Sequence, residues 1–192
     1  MAVDPTDLDA LWDRSYIYKD MGRDDEAIDG FLQVLELMPH HFKAINELVK
    51  LYRRKGMVKE AIQLYEKAVE YHMENDTNQK DEDEDEERRH DEDDELNDRF
   101  GYAEVNMLSE LYLMQSDYRR SLETIKTGIR YVQHRQHETY WDSYGDNDQE
   151  YFEDPEHEER SDFPIELRVR MGVCRVYLGD VRTAAVSYLI KI

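Results

Sequence analysis

Two stretches decide the fold: residues 8–39, LDALWDRSYIYKDMGRDDEAIDGFLQVLELMP, and residues 42–73, FKAINELVKLYRRKGMVKEAIQLYEKAVEYHM. Shifted by 34 residues, the first falls on the second with Tyr18 over Tyr52, Gly22 over Gly56 and Ala27 over Ala61. The same shift pairs Ile28 with Ile62, Phe31 with Tyr65, Leu35 with Val69 and Pro5 with Pro39. A fixed period of this size is the mark of a stacked repeat. The apolar spacing predicts amphipathic helices over 8–21 and 24–37, and again over 42–55 and 58–73. Gly22 and Gly56 supply the permissive backbone at each turn. Ala27 and Ala61 are small where paired helices cross, and Phe31 and Tyr65 fill the gap to the next pair. Pro39 ends the second helix, because proline disfavours helix in the residue before it.

The unit returns after residue 99. Leu108, Tyr112, Ser116, Asp117, Tyr118, Ser121, Leu122, Ile125 and Ile129 fall at the expected offsets and predict helices over 100–115 and 117–133. A fourth pair, over 165–178 and 181–192, carries Gly172, Gly179, Asp180, Ala184 and Tyr188. It departs at Arg175, where the other pairs have tyrosine. These residues resemble the tetratricopeptide (TPR) family, which implies an all-α, right-handed α-solenoid, here with two acidic inserts. One pair cannot bury its apolar face alone. Pro5 sits where a preceding repeat would end and Ile192 falls inside a second helix, so a piece of a longer array is expected.

Charge draws the domain map. The chain holds 46 acidic and 25 basic side chains, a net −21. Residues 74–98 carry −12 and residues 134–164 carry −9, so the remainder is neutral. The expected organisation is two units over 1–73, an acidic disordered insert over 74–98, a third unit over 99–133, an acidic and aromatic insert over 134–164, and a degenerate fourth unit over 165–192. Residues 81–95 hold 12 acids, which repel one another and cannot bury enough apolar area to fold alone. The second insert adds Tyr140, Trp141, Tyr144, Tyr151, Phe152 and Phe163 to its acids. Aromatics among acids suit a segment that docks on protein. Pro164 marks re-entry into helix.

Several function classes are disfavoured. Duplex DNA and anionic membranes call for concentrated Lys and Arg. The single Cys174 excludes an intrachain disulfide and fits a reducing compartment. No run of 18 apolar residues or signal pattern occurs, so a soluble protein is expected. His137 and Glu138 begin like a zinc-protease helix, but Trp141 stands in place of the second histidine. His134 and His137 gain no further soft ligand nearby. Asp142, Asp146 and Asp148 lack the oxygen ladder and central glycine of a calcium loop. No phosphate loop, nucleophile elbow or dinucleotide fingerprint is present. An enzyme is not expected, nor are a cofactor, a metal or a small-molecule ligand.

In TPR arrays the first helix of each pair lines the concave groove, and that resemblance places the candidate docking residues. In the second unit they are Lys43, Asn46, Lys50, Arg53 and Arg54, a cationic stripe at three- and four-residue spacing. The first unit offers Asp9, Trp12, Tyr16 and Lys19, and the third Asn106, Glu110 and Leu113. Such a stripe suits an acidic or extended segment, with the Asn amides binding backbone. Residues 81–95, tethered close by, are one candidate occupant.

Several stretches are more specific than the repeat itself. They are Leu11-Trp12-Asp13-Arg14-Ser15 with Tyr18, Met21-Gly22 and Ala27-Ile28-Asp29-Gly30-Phe31, then Val105-Asn106 with Glu110-Leu111-Tyr112, and Phe163-Pro164-Ile165 with Val173-Cys174. Together they resemble the large TPR subunit of transcription factor IIIC. That resemblance implies a nuclear scaffold for RNA polymerase III transcription that recruits transcription factor IIIB to genes such as those for transfer RNA. Its partners would be transcription factor IIIB components and other transcription factor IIIC subunits, without direct sequence-specific DNA contact. The alternatives are a generic TPR adaptor or co-chaperone that takes an acidic or C-terminal peptide, and an enzyme whose catalytic part lies elsewhere.

Overall fold

Four short turns carry the architecture. Each closes a first helix by the same hydrogen bond, from the amide five residues on to the carbonyl of Tyr18, Tyr52, Tyr112 or Arg175 (donors Arg23, Met57, Asp117 and Asp180, 2.8–2.9 Å). Each also needs one residue of positive φ: Gly22 at 71°, Gly56 at 73°, Ser116 at 59° and Gly179 at 89°. This is the helix stop in which a left-handed residue lets the chain return on itself. The fourth pair therefore repeats the geometry of the others although Arg175 replaces tyrosine, because the backbone carbonyl makes the bond. The Arg175 side chain is itself buried.

The computed structural model describes residues 7–39, 41–79, 100–138 and 164–189. Among these, eight helices form and no strand: α1 Leu8–Asp20, α2 Asp24–Leu37, α3 Phe42–Arg54, α4 Val58–Gln79, α5 Tyr102–Met114, α6 Tyr118–Val132, α7 Ile165–Tyr177 and α8 Val181–Leu189. The chain divides into two compact units, residues 1–99 and 100–192.

In the first unit α1 packs on α2, α2 on α3 and α3 on α4. Ala27, Phe31, Val34, Phe42, Ile45, Leu48, Leu51, Ala61 and Tyr65 are fully buried between them. The expected crossing alanines have no exposed surface, as a close approach requires. Ser15 is equally buried, and its hydroxyl donates to the Leu11 carbonyl at 2.6 Å, which leaves room for Gly30 alone to face it. Asp7 and His41 cap α1 and α3, accepting from the amides of Ala10 and Ala44. In the second unit α5 packs on α6, α6 on α7 and α7 on α8 around Val105, Leu111, Ile125, Ile129, Leu167 and Met171.

Two insert boundaries shift. Helix α4 runs to Gln79, six residues beyond the expected end at 73, because no glycine or proline stands in residues 74–79 to stop it. After α6, residues 134–138 fold back instead of opening the second insert. His134 takes φ 58°, the Arg135 amide returns to the Arg130 carbonyl at 2.7 Å, and the buried Arg135 guanidinium grips Glu138 at 2.8 and 2.7 Å. Residues 81–95, the rest of the second insert and residues 190–192 of the expected last helix lie outside the described residues.

Candidate docking groove

The first helices of the first unit, α1 and α3, carry nine of the predicted docking residues, and one unpredicted residue organises them. Glu47 on α3 accepts from Lys19 Nζ of α1 at 2.8 Å and from Lys50 Nζ one turn along at 2.6 Å. The Glu47 and Lys19 side chains are 13% and 15% exposed, whereas Lys50 is 56% exposed. Burial pushes the Glu47 carboxyl upward, but hydrogen bonds and charge from Lys19 and Lys50 outweigh it and hold the group below its usual range. Burial likewise pulls Lys19 down, and Glu47 and Tyr16 more than offset it, so the ammonium sits above its usual range. Lys19 Nζ also stands 3.4 Å over the Tyr16 ring.

The aromatic half of the surface is built around Trp12. Its ring meets Phe31 edge-on at 5.3 Å and the capping residue His41 at 5.6 Å, with Tyr16 at 6.3 Å. Half-buried, it joins α1, α2 and the start of α3, and Tyr16 beside it is 41% exposed. Asp9 is exposed, and Lys43 and Arg53 are half-buried. Arg54 turns to the unit's edge, where it pairs with Asp24 of α2 at 2.9 Å beside the Lys55–Asp25 pair. The stripe is therefore only partly available as positive charge: Glu47 and Asp24 pair with two of its cations, Lys50 and Arg54, and Glu47 also holds Lys19 of α1.

Two tetratricopeptide-repeat family models match this unit, over residues 8–41 and 44–78. The fold is a tetratricopeptide-repeat α-solenoid. Among solved structures, MamA residues 41 to the end from Desulfovibrio magneticus RS-1 matches with a TM-score of 0.55 at 16% identity, over 95% of this chain and 72% of that one. The MamA RS-1 ArsTM double mutant matches with the same score and identity over 96% and 73%. These likenesses show the fold. In sequence the chain is 26% identical to the transcription factor tau 131 kDa subunit of Saccharomyces cerevisiae, over 92% of this chain and 22% of that protein. It is 22% identical to transcription factor tau subunit sfc4 of Schizosaccharomyces pombe, over 93% and 17%. The chain thus spans about a fifth of the length of these relatives. The repeats support a scaffold for protein interactions.

Within the TPR frame, Asn46 and Asn106 hold the same position in different repeats and meet different surroundings. Asn46 Oδ1 accepts from the Tyr65 hydroxyl at 3.0 Å. Nineteen residues after Asn106 the chain has Ile125 where that tyrosine would be, and Asn106 Oδ1 is buried without a hydrogen-bond partner. Glu110 on α5 lies 3.9 Å from Arg170 of α7, and Leu113 is half-buried. Asn106 and Glu110 belong to the second compact unit. Glu47 was legible in the sequence: it lies four residues from Lys43 and three from Lys50, inside the stripe. Its partner Lys19, 28 residues away, emerges only when α1 lies beside α3. No group of three or more His, Cys, Asp or Glu placed to hold a metal occurs among the described residues, and no described helix is long and apolar enough to cross a membrane.

Proposed function

We propose that this chain is a docking segment of a transcription factor IIIC-type scaffold, acting in the nucleus without catalysis of its own, and that it recruits transcription factor IIIB to RNA polymerase III genes. The carrying observation is the surface of α1 and α3, where Trp12 and Tyr16 stand beside the Lys19–Glu47–Lys50 cluster. Aromatic rings flanked by cations suit a protein segment that brings acids and an extended backbone. The likeness to tau subunits along nearly the whole chain supports the choice of assembly. In this reading Lys43, Asn46, Lys50, Arg53 and Arg54 set charge preference and Trp12 and Tyr16 anchor, while Asn106 and Glu110 make a contact of their own on the second unit.

The test is crosslinking and pull-down of the chain with purified transcription factor IIIB components. Capture of one component, weakened several-fold by Lys50→Glu with Tyr16→Ala, supports the proposal. Failure with every component, together with binding of a short free-ended acidic peptide, would replace it with the generic adaptor reading.

A further inference from the structure

The groove-lining positions change chemistry in the second unit. Sixty-three residues beyond Asn106, Glu110, Leu113 and Met114 of α5, helix α7 carries Val169, Val173, Val176 and Tyr177. At 100° per residue these fall with Ile165 inside one arc of roughly 120°, which also holds the exposed Glu166. The inward arc holds Leu167, Met171, Cys174 and Arg175, all buried. On the outward arc Ile165 is 67% exposed, Val169 43%, Val176 46% and Tyr177 65%. Tyr177 stacks flat on Tyr118 of α6, with ring centroids 4.2 Å apart, which extends the apolar surface across the neighbouring helix. Arg168 borders the arc on one side and Arg170 on the other. A largely apolar face of this kind, broken by Glu166 near one end, marks an interaction site.

We infer that this face of α7 is the docking site of the chain's own segment 139–163. Three features select that occupant. The segment carries six aromatic side chains to fill an apolar face. Its two ends are fixed on the second unit, at Glu138, which is held by Arg130 and Arg135, and at Pro164, the residue before Ile165. Twenty-five residues extend to about 80–90 Å, several times the ~20 Å of a 13-residue helix, so the segment can run along α7. Tethering holds it at millimolar local concentration, enough to populate a weak contact.

The chain has two tryptophans, Trp12 and Trp141, so a Trp12→Phe background leaves Trp141 as the sole reporter. In that background Trp141 emission is expected to be blue-shifted, and its acrylamide quenching several-fold weaker, than in a synthetic peptide of residues 139–163. Val169→Asp with Val176→Asp should return both readings to the peptide's values at unchanged helical circular dichroism. The milder Val169→Thr with Val176→Thr should shift them part-way. Peptide-like emission in the parent protein overturns the inference, and so does protection that neither pair of substitutions moves. Protection that vanishes on dilution overturns it too, because a second copy of the chain would then be the occupant.

Discussion

Replacing Glu47 with glutamine should weaken the fold and strengthen the groove, two effects of opposite sign from one removed charge. The carboxylate joins α1 to α3 through Lys19 at 2.8 Å, with both side chains about 85% covered. At an effective dielectric of 20 such a pair gains about 6 kcal/mol of Coulomb energy, most of it offset by desolvation. The net loss therefore falls between an exposed pair and a fully buried one, about 1–2 kcal/mol. For a unit of roughly 100 residues that is a fall of about 5–10 °C in Tm. Lys50, 56% exposed, adds only a few tenths of a kcal/mol. A double-mutant cycle should accordingly find coupling of Glu47 to Lys19 well above its coupling to Lys50. Because the Glu47 pKa is lowered on folding, its contribution is complete above the unfolded value of about 4.3 and disappears as pH falls through the folded value. The Tm gap between parent and variant should therefore narrow as pH falls below the usual carboxylate range. The same substitution releases Lys19 and Lys50 toward the groove. A synthetic peptide of residues 81–95, titrated at low salt, should bind the variant roughly 5–10-fold more tightly, with the gain lost at high salt. Unchanged Tm together with unchanged peptide affinity would refute the reasoning.

Asn106→Leu should stabilise the second unit by about 1 kcal/mol while weakening partner binding, because it removes a buried oxygen that has no donor. Asn46→Leu should instead cost about 1 kcal/mol, since it removes the oxygen that accepts from the Tyr65 hydroxyl; chemical denaturation of the two variants compares them directly. Gly56→Ala, at φ 73°, should cost about 1–2 kcal/mol, whereas Ser116→Gly, at φ 59°, should raise stability by several tenths of a kcal/mol in the same assay. Gly128→Ala should lower Tm of the second unit, because the new methyl would lie 2.9 Å from Val105 Cγ1 and closer still to Cγ2, and Val105→Ala should rescue part of the loss.

The repeat itself was readable in the sequence because its signals are local. Gly22 and Gly56 mark turns that need positive φ, Ala27 and Ala61 mark crossings, and both properties belong to single residues at fixed spacing. The period therefore placed six of the eight described helices to within about two residues at each end, and the start of the other two. Where a boundary was drawn from net charge it moved, since acidity does not stop a helix that lacks glycine or proline, as α4 shows through Gln79. Likewise Arg135 and Glu138 are counted as insert by charge, although their mutual ion pair closes the end of α6. The stripe on α3 followed from helical periodicity, but its charge state did not. Lys19 and Glu47 are 28 residues apart, Arg54 and Asp24 30 apart, and only the stacking of α1, α2 and α3 brings opposite charges within reach. Periodicity gives each residue its face, a property of one helix. Whether a charge on that face is spent within the protein or offered to a partner depends on which helix lies beside it, and tertiary packing alone decides that.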